Sequence, residues 1–214
     1  MNRILLVAAV PQELQAFRPL AAGRVECLIT GMGERAGQVV RDRLRRERFD
    51  LVVSTGFAGG LQPGFKVGDL VAASEVVEEA SGFRRPSSWS ELGLNGAFPV
   101  GSFLTVRKPL LDPQAKSDAG ARFGALAADM ETAAVASAAY QGGAAWVGFR
   151  AILDPMERRL AVGSWREGVG SLLFPSRWKA FMGLMQDLRM ASRCLAGGLK
   201  ELVKGECHGS GKGC

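Results

Sequence analysis

Short apolar runs that recur between helical stretches are the feature that most limits how this chain can fold. They lie at residues 4–9, 25–30, 50–54, 70–77, 102–106, 125–128 and 145–152. The first run is apolar throughout, as is typical of a strand covered on both faces in a parallel sheet. Because such runs alternate with helical patterns, we predict an α/β fold, a single domain with a central mixed, largely parallel sheet flanked by helices.

The rest of the chain fits one domain. Its 214 residues are 47% hydrophobic and 22% charged, which is typical of a globular protein. Without an internal repeat or a linker, we expect one domain over residues 1–204 and a disordered Gly-rich tail over 205–214. His208 in this tail is the only histidine, which excludes a histidine-dependent triad in the folded body. The Cys and His spacing there matches no standard zinc set, so no metal site is expected.

Several helices and loops can be placed on this pattern. We predict helices from Pro11 to about Pro19, at 113–122 and at 131–140, and two more at 165–173 and 177–203 that Pro175 separates. Residues 55–61 are predicted to be a Gly-rich loop after the third strand. The polar residues 80–96, which include Trp89, are predicted to be a surface excursion or lid.

Charge and targeting give weaker information. The net charge is +6, and much of it lies in an Arg-rich stretch at 35–48 that is predicted to be an amphipathic helix with a basic outer face. A solvated face is favoured over a patch that binds nucleic acid or membrane. The apolar run at the N-terminus is short for a signal peptide, and no run approaches the roughly 20 residues that span a bilayer. We therefore expect a soluble, cytoplasmic protein.

Acidic or glycine-rich groups follow four of the predicted strands. Glu13 follows the first strand, Gly56 to Gly60 the third, Asp129 to Glu131 a short later strand, and Asp154 the last. Ligands of α/β sheets gather beyond the carboxyl ends of the strands, so these groups predict a carboxylate site. Helix N-caps and solvated turns are the alternative. The glycines lack the phosphate-loop and dinucleotide patterns, but they permit close approach of a flat ligand such as a base.

These residues resemble the nucleoside phosphorylase/nucleosidase superfamily. The likeness rests on AVPQE at 9–13, TGFAGGL at 55–61 with VGDLV at 67–71, DMETAAV at 129–135 and RAILD at 150–154. Within the superfamily the chain is most similar to methylthioadenosine/adenosylhomocysteine nucleosidases and, more narrowly, to the hopanoid-associated phosphorylase branch. The narrower likeness rests on residues 124–131, on Asp154-Pro155 with Arg159-Leu160, on the compact length and on the basic helical C-terminus.

The resemblance implies cleavage of the N-glycosidic bond of an adenine nucleoside. Asp154 takes the position of the acid that protonates N7 of the base, and Glu13 that of the carboxylate that orients or deprotonates water. Glu131 corresponds to the acceptor of the ribose hydroxyls, and Met130 to the residue that packs on the sugar. The remaining candidates for substrate binding are Phe57, Ala58, Gly59 and Asp129.

Hydrolysis is favoured over phosphorolysis by two substitutions together with the presence of Glu13. Phosphorolytic members place Arg and Ser near the first glycine-rich motif, where this chain has Ser54 and Phe57. Gly31 and Arg35 remain candidates for a phosphate site. Asp154, where an asparagine is expected for 6-oxopurines, favours a 6-aminopurine. Futalosine hydrolases, which release hypoxanthine, are therefore the second-ranked class of enzyme. The hopanoid branch implies adenosylhopane, a lipid-linked nucleoside, as substrate.

The resemblance also implies a homodimer with no organic cofactor and no nucleic-acid partner. A competing hypothesis is a non-catalytic protein that binds a membrane surface. Its candidate residues lie on the C-terminal helix, where peripheral membrane contact could involve Trp178, Lys179, Phe181, Arg189 and Arg193. An ordinary packed amphipathic helix is the favoured interpretation of this stretch.

Overall fold

The computed structural model describes residues 3–17, 24–92, 98–159 and 175–209, the last segment with side chains from 183 to 203. Within these residues the strands are β1 Ile4–Ala8, β2 Val25–Ile29, β3 Leu51–Gly60, β4 Leu70–Glu78, β5 Arg84–Pro86, β6 Val100–Thr105, β7 Ala125–Asp129 and β8 Ala145–Asp154. The helices are α1 Pro11–Leu14, α2 Arg35–Arg46, α3 Pro113–Phe123, α4 Thr132–Gln141 and α5 Pro175–Gly209.

The strands form one mixed sheet that closes on itself. Parallel pairs join β2 to β1, β1 to β3, β3 to β8, and β4 to β6 to β7. Antiparallel pairs join β8 to β4 and the end of β3 to β7, at Gly59 and Gly60. Strands β3, β8, β4, β6 and β7 therefore form a ring, with β1 and β2 beside it. The predicted α/β fold with a largely parallel sheet is confirmed.

Helices cover both faces of the sheet. On one face α2 and α4 pack against the strands through buried residues such as Val40 and Val135. On the other face α5 contributes Leu195 and Leu199 to a second core cluster, and it also contacts α1. Coverage on both faces explains why β1 is apolar at every position. Among the described residues, no helix is both long enough and apolar enough to cross a membrane.

One local prediction is wrong and a second is incomplete. The Gly-rich segment 55–61 is not a loop after a strand, because β3 continues through it to Gly60 and pairs with β8 and β7. Glycine signals a turn in isolated sequence, but it also fits an extended strand that other backbone approaches closely. Residues 80–96, expected to be a surface excursion or lid, are mostly exposed where they are described, but they also contain β5 and buried Trp89, whose ring stacks on Phe149 with 6.2 Å between centroids. Residues 93–97 of that segment lie outside the described residues.

Other boundaries differ modestly. Helix α1 ends at Leu14, earlier than predicted, and residues 18–23 lie outside the described part of the chain. The helix predicted at 165–173 also lies outside it. Helix α5 begins at Pro175 and continues to Gly209, five residues into the segment that was expected to be disordered, and residues 210–214 are not described. The side chains of Trp178, Lys179 and Phe181 also lie outside the described part of the chain.

The Arg-rich stretch forms α2, as predicted. Part of its positive charge is matched by acidic neighbours. Arg43 binds both carboxylate oxygens of Glu26, at 2.5 and 2.6 Å, and reaches Glu47 at 3.0 Å. Arg45 pairs with Asp42 on the exposed face. This pairing supports the solvated helix face rather than a dedicated binding patch.

Candidate active site

A cleft with a volume of about 270 Å³ opens where β1, β3, β7 and β8 end. The structure brings together in its walls all eight residues that the sequence suggested for catalysis or substrate binding: Glu13, Phe57, Ala58, Gly59, Asp129, Met130, Glu131 and Asp154. Strand β7 runs antiparallel to β3, so its end reaches the cleft from the other direction. The four strands need not all be parallel for their ends to meet at the cleft, because the sheet closes into a ring around it.

Glu13 is buried at the start of α1, directly after β1. Its Oε2 accepts hydrogen bonds from the amides of Ala9 and Val10, at 2.8 and 3.1 Å, and its Oε1 accepts one from the amide of Phe57 at 2.9 Å. Burial raises the pKa of Glu13, while the Arg150 charge and these three amide donors oppose the increase. The carboxylate is therefore fixed between the end of β1 and the backbone of β3 at Phe57.

Gly56 makes room for Glu13. Its φ of 144° lies in a region that side chains rarely adopt. A Cβ at this position would lie 2.7 Å from Cδ of Glu13 and closer still to Oε1. The glycine is needed here because the carboxylate packs directly on the backbone of β3.

Arg150 and Asp129 form a buried network behind the cleft wall. The Arg150 guanidinium is 1% exposed and donates to the hydroxyls of Ser54, at 2.9 Å, and Thr132, at 2.8 Å. It lies 3.1 Å from Asp129 Oδ2, to which the Thr132 hydroxyl also donates. Asp129 Oδ1 accepts from the Thr105 hydroxyl and from the amides that begin α4. Both Asp129 oxygens thus bind protein groups, which favours a positioning role for this residue.

Glu131, the N-cap residue of α4, extends from this network into the cleft. Its Oε1 accepts a hydrogen bond from the amide of Gly33 at 2.9 Å. Burial and the neighbouring Asp129 charge raise the pKa of Glu131 to about 7, although the Gly33 amide and Arg150 act in the opposite direction. The group can therefore exchange a proton near neutral pH.

Asp154 reaches the cleft through an irregularity in β8. Ala58 pairs with Ile152 and Gly59 pairs with Asp154, so Leu153 is an extra residue between the two pairs. Such a bulge re-aims side chains, and here both Leu153 and Asp154 line the cleft. Asp154 is 8% exposed, and its Oδ1 is buried without a hydrogen-bond partner among the described residues.

The other Asp154 oxygen is bound by a lysine that the sequence did not suggest. Lys116, on α3, is fully buried, and its Nζ lies 2.6 Å from Asp154 Oδ2. The same ammonium donates to the carbonyls of Pro155 at 3.0 Å and Arg158 at 2.7 Å. Burial raises the pKa of Asp154, whereas the Lys116 ammonium and, more weakly, Arg158 oppose the increase.

The remaining cleft wall is mostly apolar. Phe57, Met130 and Leu153 are half-buried there, and the exposed Met32 lies at its edge. Further apolar lining comes from the segment between β6 and α3, at Val106, Pro109 and Leu110. The cleft therefore joins carboxylates at its inner wall to an apolar mouth.

The residues suggested for phosphate, Gly31 and Arg35, lie beside the cleft lining without being part of it. Among the described residues, neither Gly31 nor Arg35 lines the cleft; Arg35 is exposed on α2, and the Gly31 amide donates to Ala9. Ser54, at a position where phosphorolytic relatives were expected to place a phosphate ligand, is buried against Arg150. A role for Gly31 and Arg35 in phosphate binding stays a prediction.

The sequence analysis did not assign a role to two buried cationic side chains, those of Arg150 and Lys116. Arg150 interrupts the apolar run of β8, and a charged residue inside a buried strand is a signal that could have singled it out. Lys116 lies among the polar residues of α3 and looks like an ordinary surface lysine. Only the fold reveals that it lies under Asp154.

Solved structures share this architecture over nearly the whole chain. A 5′-methylthioadenosine/S-adenosylhomocysteine nucleosidase from Helicobacter pylori superposes with a TM-score of 0.72 at 18% identity, over 95% of this chain and 98% of that one. Arabidopsis thaliana 5′-methylthioadenosine nucleosidase gives 0.71 at 17%, over 97% and 96%. Futalosine hydrolase of Helicobacter pylori gives 0.71 at 16%, over 95% and 97%. At these identities the likeness establishes the fold alone.

Family membership rests on the sequence match. A comparison with curated proteins returns no match. The Phosphorylase superfamily, in contrast, matches residues 17–99 and 88–167, which together cover more than half of the chain and include β3, β7 and β8 with their cleft residues. This chain belongs to the phosphorylase superfamily.

Proposed function

We propose that this protein hydrolyses the N-glycosidic bond of an adenine nucleoside. The observation that supports hydrolysis most directly is the environment of Glu13. Amides of Ala9, Val10 and Phe57 converge on its carboxylate, so the donors that could hold a phosphate bind a protein anion instead. With a carboxylate in that position, water is the nucleophile that the site can orient.

At the base end of the cleft, Asp154 is the general acid. Cleavage of the C1′–N9 bond leaves the electron pair of that bond on the purine, which needs a proton at N7. Asp154 Oδ1 is free of other partners among the described residues and lies in the cleft wall. Burial raises the pKa of Asp154, which favours the protonated form required for this step.

At the sugar end, Glu13 and Glu131 act on water and ribose. As the C1′–N9 bond breaks, positive charge develops on the sugar, and carboxylates in the cleft stabilise it. A water oxygen bonds to C1′ while its proton passes to Glu13. Glu131 accepts hydrogen bonds from the ribose hydroxyls, and Met130 packs on the sugar face. The products are the free base and a sugar with a hydroxyl at C1′. Proton exchange with solvent then returns Asp154 to its protonated form and Glu13 to its ionised form.

The preference for adenine rests on Asp154. A carboxyl group can donate a proton to N7 and accept a hydrogen bond from an exocyclic amino group, which a 6-oxopurine lacks. Hydrolysis of a 6-oxopurine nucleoside, as the name futalosine hydrolase implies for the structural neighbour, is the second candidate. Comparing the release of adenine and of hypoxanthine from otherwise identical nucleosides separates the two.

The 5′ substituent is proposed to be apolar, with adenosylhopane as the specific candidate. The support is the apolar lining of the cleft, in which Met32 and Pro109 are exposed and Leu110 is half-buried. An extended apolar group would bury surface there at about 25 cal/mol per Å². Adenosine with a long 5′-alkyl group should then have a lower KM than adenosine itself. Equal KM values would contradict a lipid-linked substrate.

The experiment that tests the proposed function is base release with and without phosphate. The protein is incubated with adenosine, methylthioadenosine and a 5′-alkyl adenosine, and free adenine is measured. We expect release at the same rate in phosphate-free buffer and in buffer with added inorganic phosphate. Phosphate-dependent release with a sugar 1-phosphate product would establish phosphorolysis, and absence of free base from every nucleoside would contradict an enzymatic role.

A further inference from the structure

All three ammonium protons of Lys116 are donated to acceptors within the protein. A lysine ammonium has three donors, and here the acceptors are Asp154 Oδ2, the Pro155 carbonyl and the Arg158 carbonyl. The side chain is fully buried, so water does not compete for these protons. Lys116 therefore has no N–H left for a substrate, although it lies in the cleft wall.

The same contacts make the two Asp154 oxygens different. Oδ2 is bound by Lys116, and Oδ1 has no partner among the described residues. Two of the three contacts also fasten the backbone that follows β8, so the ammonium fixes both the carboxyl group and the chain that bears it. Rotation of the carboxyl group would take Oδ2 away from Lys116 and leave a buried ammonium without one of its three acceptors, which is costly.

We propose that Lys116 is a positioning residue for Asp154, which holds Oδ2 and the segment 155–158 so that Oδ1 is the oxygen presented to the leaving base. The proposal deepens the proposed function and rests on Asp154 being its acid. Lys116 acts only through Asp154.

The charges that face Asp154 are few. Lys116 on α3 is the nearest, and Arg158 on the following segment contributes more weakly. Glu157 is exposed and accepts a hydrogen bond from the amide of Gly64. Gly59, paired with Asp154 on β3, carries no charge. Removing the Lys116 ammonium therefore leaves burial as the main influence, and the pKa of Asp154 should increase.

The test uses Lys116→Met, which keeps the volume of the side chain and removes its charge. The matched control is Arg159→Gln, because Arg159 also ties the segment after β8 to α3, through the exposed Asp112, without touching Asp154. Two quantities are measured in each variant: the titration of the Asp154 carboxyl carbon by ¹³C NMR, assigned with Asp154→Asn, and the pH profile of kcat/KM for adenine release.

We expect Lys116→Met to move the Asp154 titration and the alkaline limb of kcat/KM to higher pH, because the acid keeps its proton longer. Its maximal kcat/KM should fall on the order of 10²-fold, as is typical of a misplaced catalytic group. Arg159→Gln should change neither. An unmoved Asp154 titration in a folded Lys116→Met protein would overturn the proposal. If the titration moves but the unmodified protein releases no base, the positioning stands and the proposed function fails.

Discussion

The two ends of the cleft differ in how the negative charge of their buried carboxylates is compensated. At the base end one carboxylate, Asp154, faces one buried ammonium, that of Lys116. At the sugar end three carboxylates, Glu13, Asp129 and Glu131, share the guanidinium of Arg150. Charge is balanced at the first end and in excess at the second.

This difference determines where protons are held. Of the three carboxylates, Asp129 is the one that forms an ion pair with Arg150, at 3.1 Å, which leaves Glu13 to backbone amides and Glu131 without a full counter-charge. The excess negative charge is consistent with the pKa of about 7 at Glu131. It also suits an end of the cleft where positive charge would develop on a sugar. The balanced pair instead fixes an acid in one orientation.

The largest effect is expected from removing the acid at the balanced end. Asp154→Asn has no acidic proton to give to the base, so kcat/KM for adenine release should fall by about 10² to 10⁴. Steady-state kinetics with a purified, folded variant measure this. Glu13→Gln should have a loss of the same order, because an amide cannot take the proton of water. Near-normal kinetics in both variants would contradict the assigned roles at both ends.

The next effect concerns stability and tests the charge excess. Arg150→Met leaves three buried carboxylates without a cation, and the free energy of unfolding should fall by about 3–5 kcal/mol. Lys116→Met leaves only one, which can hold its proton, so its loss should be smaller. Denaturant titration of both variants gives the comparison.

The control is the same substitution at an exposed ion pair on α2. Arg45→Met removes the partner of Asp42, where both side chains are more than 60% exposed. Surface pairs of this kind contribute about 0–1 kcal/mol. Equal losses in Arg150→Met and Lys116→Met would show that the two ends do not differ in charge balance.

The sequence predicted the carboxylates far better than their supports. Glu13 and Asp154 lie at the carboxyl ends of β1 and β8, which are both parallel to β3, and such ends gather at one edge of a sheet. Glu131 follows β7, which reaches the same cleft from the other direction. The supporting contacts depend on long-range packing that local patterns do not encode. Lys116 lies 38 positions before Asp154, and the Ser54 hydroxyl that binds Arg150 is 96 positions away.

The ring closure was missed for a related reason. Glycines in β3 indicated a loop, but Gly56 makes room for the carboxylate of Glu13, and Gly59 and Gly60 pair with β7 inside the strand. Glycine is used both in turns and in a strand such as β3, which bends to pair with both β8 and β7. The sequence pattern cannot distinguish the two until the partner strands are in place.

Gly56 offers a third way to test the sugar end. Gly56→Ala should displace the Glu13 carboxylate and lower kcat/KM by about 10²-fold, because an ångström-scale shift of a catalytic group has such an effect. Gly64→Ala is the matched control, since its φ is also positive, at 90°, but a Cβ there meets no atom within 4 Å. Both variants should lose stability from backbone strain, and Gly56→Ala should lose more because its Cβ also meets the buried Glu13 carboxyl group. An equal loss of activity in both would mean that strain, not Glu13, is responsible.

The smallest effect is the pH dependence that burial, together with the neighbouring Asp129 charge, gives to Glu131. Its pKa is about 7, and it must be ionised to accept the ribose hydroxyls, so kcat/KM should decrease as the pH falls below about 7. The decrease is about tenfold per pH unit once the group is mostly protonated. Glu131→Gln should be less active at neutral pH and should lack this acidic limb.

Protein stability should show the opposite trend, because the folded state holds the Glu131 proton more tightly than the unfolded chain does. The difference in unfolding free energy between the unmodified protein and Glu131→Gln should therefore shift in favour of the unmodified protein as the pH falls from about 7 towards 4.5. Denaturant titrations across this range measure it. A difference that is independent of pH would mean that Glu131 titrates as it does in the unfolded chain, and the charge excess at the sugar end would then be neutralised by another group.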